Sequence, residues 1–219
     1  MEVYEALYTT RAMRRVKPDP IPKEVQAQIL DAAIRAPSGG NMQGWRFILV
    51  DDEAIKAKLG PVYRNCMDQI WNTVYKDRLD SAKAEPELEE SISFDKMYRS
   101  ASYMAENFEQ YPLFLFAFCQ YDTTGGSIFP AVWNAMLAAR AQGVGSSLTS
   151  AFLFDMEPLK QILQVPNDDS WRFNCCVPMG YPTGRWGVAP RPPAHQVAFR
   201  NSWDGDIGLE ISEPLWPKK

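Results

Sequence analysis

Arg11, Arg14, Arg15 and Lys17 fall within seven positions of one another in a chain of net charge −4. Guanidinium groups stay ionised at physiological pH and grip phosphate through paired, charge-assisted hydrogen bonds. A local positive site on an acidic protein suits one small anion better than a nucleic acid, whose affinity rests on neutralising many phosphates. A solvated basic turn is the plainer alternative. A second stretch is Pro37-Ser38-Gly39-Gly40-Asn41-Met42-Gln43-Gly44-Trp45. Its glycines let a backbone pass close to a flat ligand, and Ser38, Asn41 and Gln43 supply donors and acceptors to the edges of such a ligand. A third, Gly143-Val144-Gly145-Ser146-Ser147-Leu148-Thr149-Ser150, presents small residues and backbone N–H groups. It lacks the G-x-G-x-x-G spacing of a dinucleotide fold, and its glycines follow a helical pattern rather than a strand. The fourth runs from Gly180-Tyr181-Pro182-Thr183-Gly184-Arg185-Trp186-Gly187 to Arg191-Pro192-Pro193 and reads as a structured turn followed by an extended arm.

Other chemistries are poorly served. His195 is the only histidine, so a multi-histidine metal site cannot be built within one chain, and no metal is expected. No G-x-S-x-G elbow accompanies it. Cys66, Cys119, Cys175 and Cys176 contain no C-x-x-C pair, and neighbours such as Cys175 and Cys176 in a strand point to opposite faces. Reduced, packed thiols in a cytoplasmic protein are expected. The opening residues show no signal-peptide pattern. The densest apolar run, Leu113 to Cys119, is far short of the roughly 20 residues of a membrane helix.

The elements that must position these stretches follow from periodicity and punctuation. Residues 2–9 are amphipathic, with Val3, Leu7 and Tyr4 or Tyr8 on one face. Pro22 opens a helix whose apolar face is Val25, Ile29, Ala32, Ala33 and Ala36, and Pro37 stops it. Trp45 to Val50 reads as a buried strand, and residues 53–60 as a short helix. Across 62–110, helical segments with a mobile loop near Ala82–Ser93 are expected. Leu113 to Cys119 reads as a central strand buried on both faces. Ser127 is placed to cap a helix bearing Val132, Met136 and Ala139, ended by Gly143. Val144 to Thr149 reads as a strand, Asp155 as the cap of a further helix, and Phe173 to Met179 as a last strand. The mixture is α+β.

The order and spacing of the four stretches resemble the nitroreductase family of FMN-dependent oxidoreductases. The likeness runs from about residue 5 to 203, interrupted at 62–110. It is carried by T-R-A-M-R-R-V-K-P-D-P-I-P, A-P-S-G-G-N-M-Q-G-W-R-F, A-A-R-A-Q-G-V-G-S-S-L-T-S, G-Y-P-T-G-R-W-G and R-P-P. The resemblance implies one domain over 1–219, with a central, mainly antiparallel sheet flanked by helices. Residues 62–110 become a variable segment over the flavin and 190–219 an extended C-terminal arm. It implies an intertwined homodimer with FMN at the interface, in which Trp203 and Trp216 reach the partner. Hydride then passes from NADH or NADPH through the flavin to a small-molecule acceptor such as a nitroaromatic or quinone. The same flavin also serves reductive dehalogenation, heterocycle oxidation or flavin fragmentation in the alternatives, or is simply sequestered by a non-catalytic protein.

The family's cofactor-binding positions fall on Arg11, Ala12, Met13, Arg14 and Arg15. Arg11 goes to the phosphate or ribityl chain, and Arg14 to the pyrimidine side of the ring, where charge builds on reduction. The family often has arginine where Thr10 stands and serine where Ala12 stands, and Arg15 is the expected replacement charge. Pro37, Ser38, Gly39, Asn41 and Gln43 belong to a loop that reaches the flavin held mainly by the other subunit. Leu148, Thr149 and Ser150 pack along the ring, and Arg191 is a second phosphate ligand. Trp71, Tyr75 and Tyr103 are candidate substrate-lining residues, core packing being the commoner fate of such aromatics.

Overall fold

The computed structural model describes residues 1–168 and 170–217. Strand β2 (Leu113–Cys119) lies at its centre, with every residue buried. It pairs antiparallel with β1 (Trp45–Val50) on one side and β4 (Arg172–Gly180) on the other. The two-residue β3 (Gly145–Ser146) completes an antiparallel sheet of order β1-β2-β4-β3. Because successive side chains alternate, Leu113, Leu115, Ala117 and Cys119 enter one core, while Phe114, Phe116 and Phe118 enter the other. The first core is closed by α2 (Lys23–Ala33) and α6 (Ile128–Ala141). The second is closed by α3 (Glu53–Asn72), α5 (Glu89–Glu106), α7 (Met156–Ile162) and a 3-10 turn over Ala151–Phe154. Cys175 and Cys176 go to opposite cores, and all four thiols are buried and free. A register shift between Ala117 and Phe118 leaves Asn174 without a Cα partner on β2.

Several sequence expectations need correction. The strand read as buried at 45–50 is an edge strand, half-exposed along its middle, because only β2 covers one of its sides. The strand read over 144–149 shrinks to Gly145–Ser146, with a separate bridge from Thr149 to Cys176. The short helix at 53–60 runs on to Asn72 through Pro61. Gly60 leaves room beside the helix for the Glu109 carboxylate, which a Cβ there would overlap and which Arg64 clasps at 2.7 Å. The loop expected near 82–93 is ordered helix on both sides. α4 (Lys76–Ala84) reaches into it from one end and α5 from the other, leaving 85–88 as the link. Asp155 precedes α7, but its carboxylate makes no cap bond.

α1 (Val3–Thr9) turns the opposite way from the apolar reading. Ala6 and Thr9 are buried, while Val3, Tyr4 and Leu7 face solvent. The cause is a charge. Arg140, inside α6 and 6% exposed, points its guanidinium at Thr9 Oγ1 (2.9 Å) and Glu5 (3.3 Å). A buried cation must be paired to be tolerated, so this contact selects the polar face of α1. The same guanidinium lies 4.1 Å from the centre of the Trp186 ring. The arm beyond residue 190 is folded back on itself. A 3-10 turn, Ala194–Gln196, brings His195 against Ile211, and Trp216 packs on Tyr8 of the same chain at 5.7 Å. Trp203 is exposed, and residues 218 and 219 of the expected arm lie outside the described residues. No described helix is long and apolar enough to cross a membrane.

Phe116→Ala removes a fully buried ring packed at tilted angles against Phe114, Phe152 and Phe173. The expected loss is about 3–5 kcal/mol, read as a lower urea midpoint at an unchanged slope.

Candidate functional site

The N-terminal basic segment forms a short stitched strand along the sheet's β3 side. Ala12 bridges Ser146, Met13 N–H donates to Ser146 O at 3.0 Å, and Val16 bridges Pro182. Lys17 N–H donates to Tyr181 O at 2.8 Å, and Thr183 N–H to Arg15 O at 3.0 Å. Gly145 permits this approach, since a Cβ there would stand 2.8 Å from that of Met13. Three of the four sequence stretches are thereby joined in one chain: the arginines, the Gly143–Ser150 strip and the Gly180–Gly187 turn.

Within this strip the arginines part. Arg14 NH1 reaches Ser100 Oγ on α5 at 3.4 Å, and its backbone carbonyl accepts from the Tyr111 hydroxyl at 2.6 Å. Arg15 lies 4.4 Å above the Tyr103 ring, also on α5. Arg11 is exposed. Thr10 is buried and donates to Ala6 O at 2.7 Å, closing α1. Thr149 Oγ1 lies 3.2 Å from the Tyr63 hydroxyl and accepts from Ala151 N–H at 3.3 Å. Burial raises the pKa of Tyr63 and of Tyr111 well above the ordinary phenol value, although the nearby Arg14 charge pulls the other way at both. Both phenols are therefore neutral hydrogen-bonding groups at any working pH. Leu148 is exposed, and Ser147 Oγ is buried with no partner within reach.

Arg191 sits on the arm, exposed, with NH1 on the Pro190 carbonyl at 2.8 Å. It lines a wide groove of about 800 Å³ together with Leu7, Tyr8, Thr10 and Trp133. Thr10, the residue before Arg11, and Arg191 thus line one groove, while Arg11 does not. Among the described residues no ion pair engages Arg11, Arg14, Arg15 or Arg191.

The loop Pro37–Gln43 is not part of this assembly. It follows α2 on the other face of the sheet and lies beside Gln120, past the far end of β2, whereas Ser146 is level with Met179 and Leu113. The length of β2 alone separates those ends by about 20 Å. Gly40, Asn41 and Gln43 hold left-handed backbone at φ of 57°, 54° and 50°. For the two non-glycine residues that conformation is unusual and needs holding. Ser38 Oγ accepts from Gln43 N–H at 3.1 Å, and Asn41 Oδ1 from the Gln43 amide at 3.0 Å. Ser127, expected to cap α6, instead turns its hydroxyl to Gly39 N–H at 3.1 Å. Asp122 takes over the capping, accepting from Ser127 N–H at 2.9 Å and Ile128 N–H at 2.8 Å. Burial opposes the Asp122 charge, but the N–H groups of Ile128, Ser127, Gly126 and Gly125 outweigh it and hold the pKa below the ordinary carboxylate value.

Of the expected lining residues, Trp71 belongs to the second core, where its ring meets Tyr75 at 5.4 Å and Tyr98 at 4.8 Å. Tyr75 in turn lies 5.9 Å from Phe94. Tyr103 alone of the three reaches the arginine strip. Tyr63, Ser100, Tyr111 and Asp122 were missed from sequence. A tyrosine at the start of a buried strand must find a partner for its hydroxyl, and an aspartate shortly before a helix is a cap signal. No local pattern marks Tyr63 or Ser100.

A model of the nitroreductase family matches residues 7–181. The chain belongs to the nitroreductase family. The match spans the arginine strip, the Pro37–Gln43 loop and the Leu148–Ser150 segment, and stops before Arg191. Among relatives, 5,6-dimethylbenzimidazole synthase of Rhodospirillum rubrum is 28% identical over 186 residues, covering 78% of each chain. Iodotyrosine deiodinase of Thermotoga neapolitana is 26% identical over 198 residues, covering 90% of this chain and 96% of the other. A solved structure of oxidised iodotyrosine deiodinase, bound to FMN and 3-iodo-L-tyrosine, superposes with a TM-score of 0.72 at 23% identity, covering 92% of this chain and 99% of that one. Nitroreductase-family relatives therefore include more than one reaction on this fold.

Asp122→Ala is expected to destabilise the protein by about 1 kcal/mol through loss of the α6 cap. Because its folded pKa is depressed, the Asp122 contribution is full above the unfolded value of about 4 and disappears as pH falls through the folded value. The gap in melting temperature between wild type and variant, measured from pH 7 down to pH 3, is expected to close on the acid side.

Proposed function

We propose that this nitroreductase-family chain is an FMN-dependent oxidoreductase that takes hydride from NADH or NADPH and reduces a small acceptor such as a nitroaromatic or quinone. The observation that supports it most is the set of arginines at the β3 side of the sheet. The Arg11–Arg15 segment is bridged to the sheet beside Ser146, Arg191 lines one groove with Thr10, and among the described residues no carboxylate is ion-paired to any of these arginines. Unpaired cations of this density call for a polyanionic ligand, and a flavin mononucleotide phosphate meets that requirement.

In this reading Arg11 and Arg191 bind the phosphate, and Ala12, Met13, Leu148, Thr149 and Ser150 flank the ring. Arg14, steadied by Ser100, places its charge on the pyrimidine side. FMN held there would supply the redox chemistry that passes hydride from the nicotinamide to the acceptor. The chain itself orients and excludes water. Arg15 rests on Tyr103, so its charge stays near the strip, as a substitute for the family's arginine at position 10 requires.

The loop Ser38–Gln43 lies too far from its own chain's arginines to join them, so a second copy completes the site. The outward Val3, Tyr4 and Leu7 of α1, with Trp133 of α6, provide apolar surface for that contact. Sedimentation at twice the chain mass is expected. A second reading, reductive dehalogenation, is favoured by the likeness to iodotyrosine deiodinases over nearly the whole chain. Reduced protein offered a nitroaromatic, a quinone and 3-iodo-L-tyrosine in parallel separates the two readings by product.

The protein should purify yellow or take up FMN when apoprotein is titrated with it; a colourless chain that binds none sinks the proposal. Arg191→Ala is expected to weaken FMN roughly ten- to a hundred-fold, read by fluorescence quenching on titration. Unchanged affinity removes Arg191 from the site.

A further inference from the structure

A chain of hydrogen bonds leads from buried groups that hold no flavin position to Arg14. Lys56, in the first turn of α3, is 8% exposed and donates from Nζ to the carbonyl of Tyr111 at 3.2 Å. Tyr111, 2% exposed, stands between α5 and β2, and its hydroxyl donates to the carbonyl of Arg14 at 2.6 Å. Arg14 NH1 then reaches Ser100 Oγ on α5 at 3.4 Å. Four separate segments are thus tied in series through Tyr111 and Arg14.

The geometry of the basic segment gives this chain its purpose. Ala12 and Val16 bridge the sheet edge at residues 146 and 182, while Arg14 lies midway between those two bridges. The Tyr111 hydroxyl fastens the backbone at that midpoint, and the carbonyl orientation it fixes sets where the side chain of Arg14 departs. Tyr111 is neutral and nearly inaccessible, so it adds no charge of its own. We propose that Tyr111, held by Lys56, is a positioning residue that aims the Arg14 guanidinium at the redox-active ring of the bound flavin. This inference rests on the FMN reading above. A well-aimed cation favours the reduced, more negative ring over the oxidised one, so the effect appears as a difference between oxidation states rather than as general affinity.

The test uses the full-length holoprotein and variants Tyr111→Phe, Lys56→Met and Arg14→Gln. FMN dissociation constants are measured for oxidised and, anaerobically, for reduced flavin, with potentiometric titration giving the same ratio independently. Wild type should hold reduced FMN in the ratio set by Arg14, and Arg14→Gln should lower that preference. Tyr111→Phe keeps the ring and loses one hydrogen bond, so it should lower the preference for reduced FMN about two- to tenfold, with a smaller fall in Lys56→Met. If Tyr111→Phe does not fold, Lys56→Met carries the test. A preference that falls in Arg14→Gln but stays at the wild-type value in the folded Tyr111 and Lys56 variants, including equal weakening of both oxidation states, overturns the inference and leaves the role of Arg14 intact. A preference unmoved by Arg14→Gln overturns the reading of Arg14 and the inference with it.

Discussion

Strand β2 cannot exist alone. Seven apolar residues without a charge must have their backbone groups paired on both edges and their side chains covered on both faces. β1 and β4 satisfy the edges, and two distinct helical layers satisfy the faces. The rest of the molecule follows from that demand. α2 and α6 must lie on one face and α3, α5 and α7 on the other, so the connections between them cross the rims of the sheet. The arginine strip and the Pro37–Gln43 loop lie on those rims.

The rims are not equivalent. On the β3 side, short backbone bridges clamp Arg11 to Lys17 against the sheet. Around the far end of β2 the loop after α2 is held by side chains: Ser38, Asn41, Ser127 and Asp122 each bond a neighbouring backbone or amide group. The first arrangement fixes cations, and the second holds a left-handed backbone that would otherwise relax. Distance along β2 keeps them from meeting within one copy.

Much of this was legible in the residues. Continuous apolar character gave away β2, alternation placed Cys175 and Cys176 in opposite cores, and the arginine cluster was visible as charge density. The errors have common causes. The reading of α1 counted its apolar residues and ignored that one buried cation, Arg140, decides which face turns inward. The helical segments expected across 62–110 are present, but the loop expected near 82–93 was drawn too long, because α4 is helical up to Ala84 with no buried residue to mark it. The β3 ladder breaks after Gly145–Ser146 because Pro178, opposite Ser147, has no N–H to return a bond, and pairing resumes in the same register only at Thr149 and Cys176. Tyr63 and Ser100 reach the site across 86 residues of sequence each, a separation that no local pattern encodes.

The cysteines carry a consequence of their burial. Desolvation pushes the thiol of Cys66 up to about 11 and that of Cys175 up to about 12, and raises that of Cys176 well above its ordinary value. The thiolate, not the thiol, attacks electrophiles and disulfides. At neutral pH these thiols therefore stay protonated. The sulfur atoms are accordingly inert filling, and an electrophilic molecule arriving at the surface finds no ready nucleophile among them to alkylate.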